Sequence, residues 1–142
     1  MAVAVARKTG STTTSVTTFV DVADLTFAVA ASTDYYFRFI VHHNSGATTT
    51  GIRFAINGPA APTALRVGGF VPISTVAANF GSQTAYDTAI FASTTGTTVD
   101  VMSIIEGVFR NGTTAGTLAL RVAAEVAATV TVLPNSHGIL IS

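Results

Sequence analysis

Tyr35-Tyr-Phe-Arg-Phe-Ile-Val-His-His43 is the stretch that decides the fold. Aromatic and β-branched residues dominate it, and they favour a pleated backbone over a helix. Side chains alternate across a strand, so Tyr35, Phe37, Phe39 and Val41 share one face while Tyr36, Arg38, Ile40 and His42 share the other. On both sides of this run the signals remain those of strands. Val16, Phe19, Val20 and Val22 form a β-branched and aromatic run, Ala23-Asp24 makes a tight link, and Leu25-Thr-Phe-Ala-Val29 alternates with period two. Asn44-Ser-Gly-Ala-Thr-Thr-Thr-Gly51 is turn chemistry, followed by the strand Ile52-Arg-Phe-Ala-Ile56. Asn57-Gly58-Pro59 stops that strand, because proline cannot donate to a ladder.

Further along, residues 60–85 are less regular, with Leu65-Arg-Val67 and Gly69-Phe-Val71 as short strand candidates and Tyr86 to Ala92 as another. Val101–Arg110 and Thr117–Val126 form a clear late pair, which Asn111-Gly-Thr-Thr-Ala-Gly116 joins as a hairpin loop. Residues 117–128 also hold enough Ala, Leu, Arg and Glu for a helix, with Arg121 and Glu125 spaced to pair on it. The strict alternation of Leu118, Leu120, Val122, Ala124 and Val126 favours a strand. A last strand, Thr129–Leu133, turns at Pro134-Asn135 into Gly138–Ile141. Eight to ten short strands without a helix predict an all-β protein, an antiparallel β-sandwich or jelly roll, over residues 15–142. Its core is expected to hold Phe27, Val29, Phe37, Phe39, Val41, Ile52, Phe54, Ile56, Ile105, Leu118, Leu120 and Val122. Residues 1–14 end in a small-polar tract and read as an N-terminal arm that orders against a neighbour.

Composition narrows the function classes. The chain has 142 residues, 49% of them hydrophobic and only 10% charged, with seven basic and seven acidic side chains. Disorder goes with low hydrophobicity and high charge, the reverse of this. No apolar run approaches the about 20 residues of a membrane span, so no membrane partner is expected. Zero net charge argues against electrostatic binding to nucleic acid. Cysteine is absent, which removes disulfides and thiol chemistry. Met1-Ala-Val-Ala-Val-Ala-Arg-Lys8 places its charge after a short apolar part, unlike a secretory signal, and the C-terminal Gly138-Ile-Leu-Ile-Ser142 carries no lipidation or retention motif, so synthesis in the cytosol is expected.

Chemistry-bearing motifs are scarce. His42 and His43 face opposite ways in a strand and cannot chelate one metal together, and His137 reads as a surface imidazole. Asp21, Asp24 and Asp87 are isolated in sequence. No serine sits in a nucleophile elbow, and neither Gly68-Gly69 nor Asn57-Gly58-Pro59 leads into a phosphate-binding helix. A glycosidase would need two carboxylates about 5–9.5 Å apart, and Asp87 with Asp100, or Glu106 with Glu125, are the pairs to nominate. Asn111-Gly-Thr113 matches a glycosylation sequon and equally a turn. Tyr35, Tyr36 and the nine Phe read as core. No catalytic, cofactor-binding or metal residue is therefore assigned, and no enzyme or cofactor is expected.

The charges are more informative. Arg38, Arg53, Glu106, Arg110, Arg121 and Glu125 sit inside apolar strands, and the single lysine, Lys8, lies in the arm. Arginine is the residue of ordered, desolvated pairs, lysine of free surfaces. Two readings stand: solvent-facing positions of half-buried strands, or a paired polar layer of Arg38, Arg53, Glu106, Arg121 and Glu125 between protomers. The low charge fits a permanent complex.

Several segments resemble one group of proteins. Asp24–Phe39, Ala47-Thr-Thr-Thr-Gly-Ile-Arg-Phe-Ala-Ile-Asn-Gly-Pro-Ala-Ala-Pro-Thr63, Ile105–Leu118, Arg121–Val126 and Val132-Leu-Pro-Asn-Ser136 are similar to stretches of small β-rich proteins encoded among the structural genes of tailed bacteriophages. The likeness spans residues 16–142, and the Thr-Thr-Thr-Gly to Pro-Thr segment is its most specific part. It implies a virion location. The layout also looks similar to trimeric jelly-roll heads of the complement and tumour-necrosis-factor type, an analogy of fold. The resulting expectation is a homo-oligomer, a trimer, acting as a capsid decoration or cement protein that clamps neighbouring capsomers through the major capsid protein. The alternative is a tail-fibre, spike or head-fibre module that binds a host surface receptor, with Asn44–Thr50 and Thr94–Thr98 as contact loops.

Overall fold

In the computed structural model, which describes residues 1–91 and 93–142, the alternation of residues 35–43 belongs to a strand running from Asp34 to Ser45. The strands in chain order are β1 (Val3–Arg7), β2 (Thr12–Thr14), β3 (Val20–Val29), β4 (Asp34–Ser45), β5 (Ile52–Asn57), β6 (Ala64–Pro72), β7 (Ala78–Gln83), β8 (Val101–Arg110), β9 (Gly116–Ala124), β10 (Val130–Val132) and β11 (His137–Ile141). No helix occurs among the described residues. Every pairing is antiparallel. The large sheet runs β1-β11-β4-β8-β6-β7, and β10 pairs the far end of β4 and carries β2 on its other side. The small sheet is β3-β9-β5. The protein is an all-β, two-sheet antiparallel sandwich of the kind expected, with unequal layers.

All twelve residues expected in the core are buried, at 5% exposure or less. They come from the inward rows of both sheets: Phe37, Phe39, Val41 and Ile105 from the large sheet, the rest from the small one. Phe27 reaches across to Phe39, with ring centroids 5.8 Å apart. Phe39 lies directly over Gly138, its register partner on β11.

Four local expectations are corrected. The first concerns residues 1–14, which form β1 and β2 within the chain's own large sheet rather than an arm ordered against a neighbour; β1 pairs β11 from Val3↔Ile141 to Arg7↔His137. Lys8 is 1% exposed there, and its Nζ donates to the Ala23 carbonyl at 3.0 Å. Burial lowers its pKa, and the nearby Asp24 carboxylate partly offsets this. The second concerns β8 and β9, which are not a hairpin. They lie in different sheets, and the link between them is pinned by Asn111, whose side-chain amide donates to the Ala30 and Thr114 carbonyls at 2.7 and 2.9 Å. Third, Ala23-Asp24 is no link between strands but an irregularity inside β3, where Asp24 takes a positive φ of 70°. Finally, Tyr86–Phe91 is turn and bend, and Ala92 lies outside the described residues. Asp87 breaks the extended path with φ of 51°, and the Asp87 and Ile90 amides donate to the Ile56 and Phe54 carbonyls, capping the open edge of β5.

Candidate functional site

A sheet with one face on a core normally turns polar residues outward. Here the outward row of the large sheet is apolar over most of its breadth. Register places Val3, Ile141, Tyr36, Val108 and Arg66 on one rung. Val5, Ile139, Arg38, Glu106, Gly68 and Ser82 make the next. Arg7, His137, Ile40, Ile104, Phe70 and Phe80 make a third, and His42 and Met102 a partial fourth. Phe80 is 79% exposed and Val5 70% exposed, with Val3, Val108, Met102 and Tyr36 also open to solvent. Tyr36, Phe70 and Phe80, expected in the core with the other aromatics, belong to this outer face.

One polar group stands in the middle of it. Arg38 Nη2 lies 2.7 Å from Glu106 Oε2, Arg38 Nε donates to the same oxygen at 2.8 Å, and the Tyr36 hydroxyl donates to it at 2.8 Å. The Tyr36 and Arg38 hydrogen bonds hold the Glu106 carboxyl below its ordinary range. Desolvation and the bond to Glu106 push the Tyr36 phenol up. Both Arg38 and Glu106 remain about half exposed, at 44% and 43%. The pair faces solvent, where a lone ion pair adds little stability.

The other charges expected in a polar layer lie elsewhere. Arg53 and Arg121 project from the outer face of the small sheet, on the opposite side of the molecule. Arg121 holds Asp21 at 2.9 Å and Asp87 at 2.6 Å, and Asn57 donates to the other oxygen of Asp87. Arg53 Nη2 donates to the Thr17 and Ala124 carbonyls at 2.7 and 2.8 Å, with its guanidinium 5.7 Å from the centre of the Phe19 ring. Glu125 follows β9, its amide bonded to the Gly51 carbonyl. Within one protomer the structure brings together Arg38 and Glu106 and separates them from Arg53, Arg121 and Glu125. Arg110 pairs with Asp34 at 2.9 Å at one end of the large sheet.

The nominated carboxylate pairs do not assemble. Asp87 is engaged by Arg121 and Asn57, whereas Asp100 accepts from Asn44 at 2.7 Å. Glu106 and Glu125 belong to different layers. Among the described residues, no group of three or more His, Asp or Glu side chains could hold a metal ion. His43 and Ser103 do meet, at 2.7 Å, but both are sealed between the layers at 1% and 0% exposure, with the imidazole edge-on to Phe54. Burial, with a smaller contribution from His42, pushes the His43 pKa down to about 4. The unfolded chain takes up this proton near pH 6.5, the folded one only near 4. Stability is therefore full above pH 6.5 and is expected to fall by about 3 kcal/mol as pH drops toward 4. Urea midpoints at pH 7.5, 5.5 and 4.5 measure this, and His43→Gln should flatten the dependence over that range.

Two loops named from the sequence do converge. The Ser45 amide donates to the Thr97 carbonyl and the Gly96 amide to that of Thr48, at 2.8 and 3.1 Å. With residues 73–75 they frame a hollow of about 580 Å³ whose wall is rich in threonine.

The apolar outer row was legible in part: Val101–Phe109 is apolar at both parities, the mark of a strand buried on both faces. Phe80 gave no such signal, because it lies in the irregular stretch before residue 85.

No protein-family profile matches the chain, and no curated protein matches it. Among solved structures, a carbohydrate-binding module of a Cellvibrio mixtus lichenase in complex with cellotriose is similar at 12% identity and a TM-score of 0.38, over 100% of this chain and 99% of that one. A Clostridium thermocellum xylanase complexed with xylohexaose follows at 14% identity and a TM-score of 0.33, over 87% of this chain and 19% of that one. The VP2 subviral particle of infectious bursal disease virus gives 8% identity and a TM-score of 0.26, over 98% and 40%. Scores this low transfer neither a ligand nor a role.

Proposed function

We propose that this chain is a structural protein that assembles with copies of itself, as a trimer, through the outer face of its large sheet, and serves as a decoration or cement protein on the head of a tailed phage. The observation that carries the assembly is the uncovered apolar face. Six strands about 4.8 Å apart, over about 20 Å of strand length, give a flat footprint of roughly 500 Å², which side-chain relief raises toward the about 800 Å² per partner of a stable complex. Exposed apolar side chains spread over a face of that size suit an interaction surface. Arg38 at the middle of the face is neutralised by Glu106, while Arg7 and Arg66 stand toward its margins. The phage setting rests on the sequence resemblance over residues 16–142, and cement is favoured by the 10% charged content, which suits a permanent complex.

Sedimentation at micromolar concentration is expected to give the mass of three chains. A stable monomer would remove the assembly. Quantitation of the protein in purified particles tests the setting: copies in the hundreds match cement, tens or fewer match a fibre. The fibre reading draws on one feature of its own, the convergence of Asn44–Thr50 and Thr94–Thr98 around a hollow at one end of the sandwich.

A further inference from the structure

The outer face has a hollow over β6 and β8 and an aromatic knob at its β7 edge. The hollow, about 410 Å³, is lined by Arg38, Gly68, Gly69, Phe70, Ile104 and Glu106. It exists because Gly68, between Glu106 on β8 and Ser82 on β7, puts no side chain outward. The knob is Phe80, on the edge strand β7, 79% exposed with its ring centroid 6.1 Å from that of Phe70.

We infer that Phe80 of one copy seats in the Gly68 hollow of the next. This rests on the self-association proposed above and specifies its contact. Phe70 and Ile104 give the ring an apolar wall, and the Arg38 guanidinium supplies a cation for its face. A large aromatic entering a desolvated pocket is the kind of contact that dominates binding energy. Phe80 on β7 and Gly68 on the adjacent β6 stand one rung apart, so knob and hollow are neighbours on the same face of each copy.

Sedimentation of the wild type, Phe80→Ala, Gly68→Leu and the two variants co-expressed with different tags tests the inference. Phe80 is mostly exposed, so its replacement leaves the protomer folded, which circular dichroism verifies. Gly68→Leu fills the hollow; its Cβ stands 3.2 Å from the Gly81 carbonyl oxygen, a contact that a small shift relieves. Each variant alone is expected to associate about 30-fold more weakly than the wild type. Co-expressed, they should form a two-chain species, because the Gly68→Leu copy keeps its knob and the Phe80→Ala copy keeps its hollow. A folded Phe80→Ala that retains the wild-type mass and affinity overturns the seat and leaves the assembly standing. Co-expressed variants that remain single chains overturn the pairing of knob with hollow. A wild type that is itself monomeric overturns the assembly and the seat together.

Discussion

Phe39→Ala is expected to lower the unfolding free energy by about 3–5 kcal/mol, a large share of the 5–15 kcal/mol that holds a domain of this size together. Phe39 is fully buried at the meeting of the two sheets, with Phe27 and Phe37 ring centroids at 5.8 and 6.0 Å. Beneath it lies Gly138, whose missing side chain is the space the Phe39 ring occupies: a Cβ there would stand 2.7 Å from the ring. Once the ring is gone, β11 has nothing at that position to move into the void, so the site collapses poorly. Urea unfolding followed by circular dichroism measures the loss. A change below about 1 kcal/mol would contradict the burial described for this position.

Gly107→Ala is expected to be more damaging still, above about 4 kcal/mol, with loss of soluble protein as the first sign. Gly107 is paired with Phe37 on β4 and Val67 on β6, so it sits where three strands meet. A Cβ there would lie 2.1 Å from the Arg66 carbonyl oxygen and 2.9 Å from Val67 Cα. Backbone, not a flexible side chain, is in the way. Relief requires β6 to leave β8, and β7 leaves with it because, among the described residues, β6 is its one sheet partner. Gly68→Ala is the control: one residue over from Val67, its Cβ meets nothing closer than 3.2 Å, and a small change in stability is expected. Hydrogen exchange on any soluble Gly107→Ala protein should show the β6 and β7 amides losing protection first.

How far these features could be read in advance depends on what periodicity encodes. Residues Tyr35 to Val41 announce which row is buried, and each of the twelve expected core residues is buried, because burial parity is a local property of a strand. Sheet membership is not. Val101–Arg110 and Thr117–Val126 alternate well and are joined by an Asn-Gly loop, which is hairpin chemistry. Asn111 instead ties that loop to Ala30 and sends the two strands to opposite layers. The same gap explains the charges. Parity correctly placed Arg38, Arg53, Glu106 and Arg121 away from the core, but two outer faces exist, and only the sheet order separates Arg38 and Glu106 from Arg53 and Arg121. For residues 1–14 the missing information was the partner, since β1 and β2 owe their structure to β11 and β10, more than 110 residues along the chain. Lys8 illustrates the result: a residue type that ordinarily stays wet is enclosed once its strand is docked.

The pairing of β1 with β11 also sets a timetable. Val3 meets Ile141 and Arg7 meets His137, so β1 cannot be placed until β11, about 130 residues later in the chain, has left the ribosome. Until then Val3, Val5 and Ala6 have no partner, and the β11 side of β4 stays an open template for any passing strand. Pairing between such distant parts of the chain is slow, since the whole intervening loop must be ordered first. A newly made chain is thus exposed to its neighbours until the residues up to β11 have been synthesised, and crowded polysomes set the condition in which it is most exposed to pairing with the wrong copy.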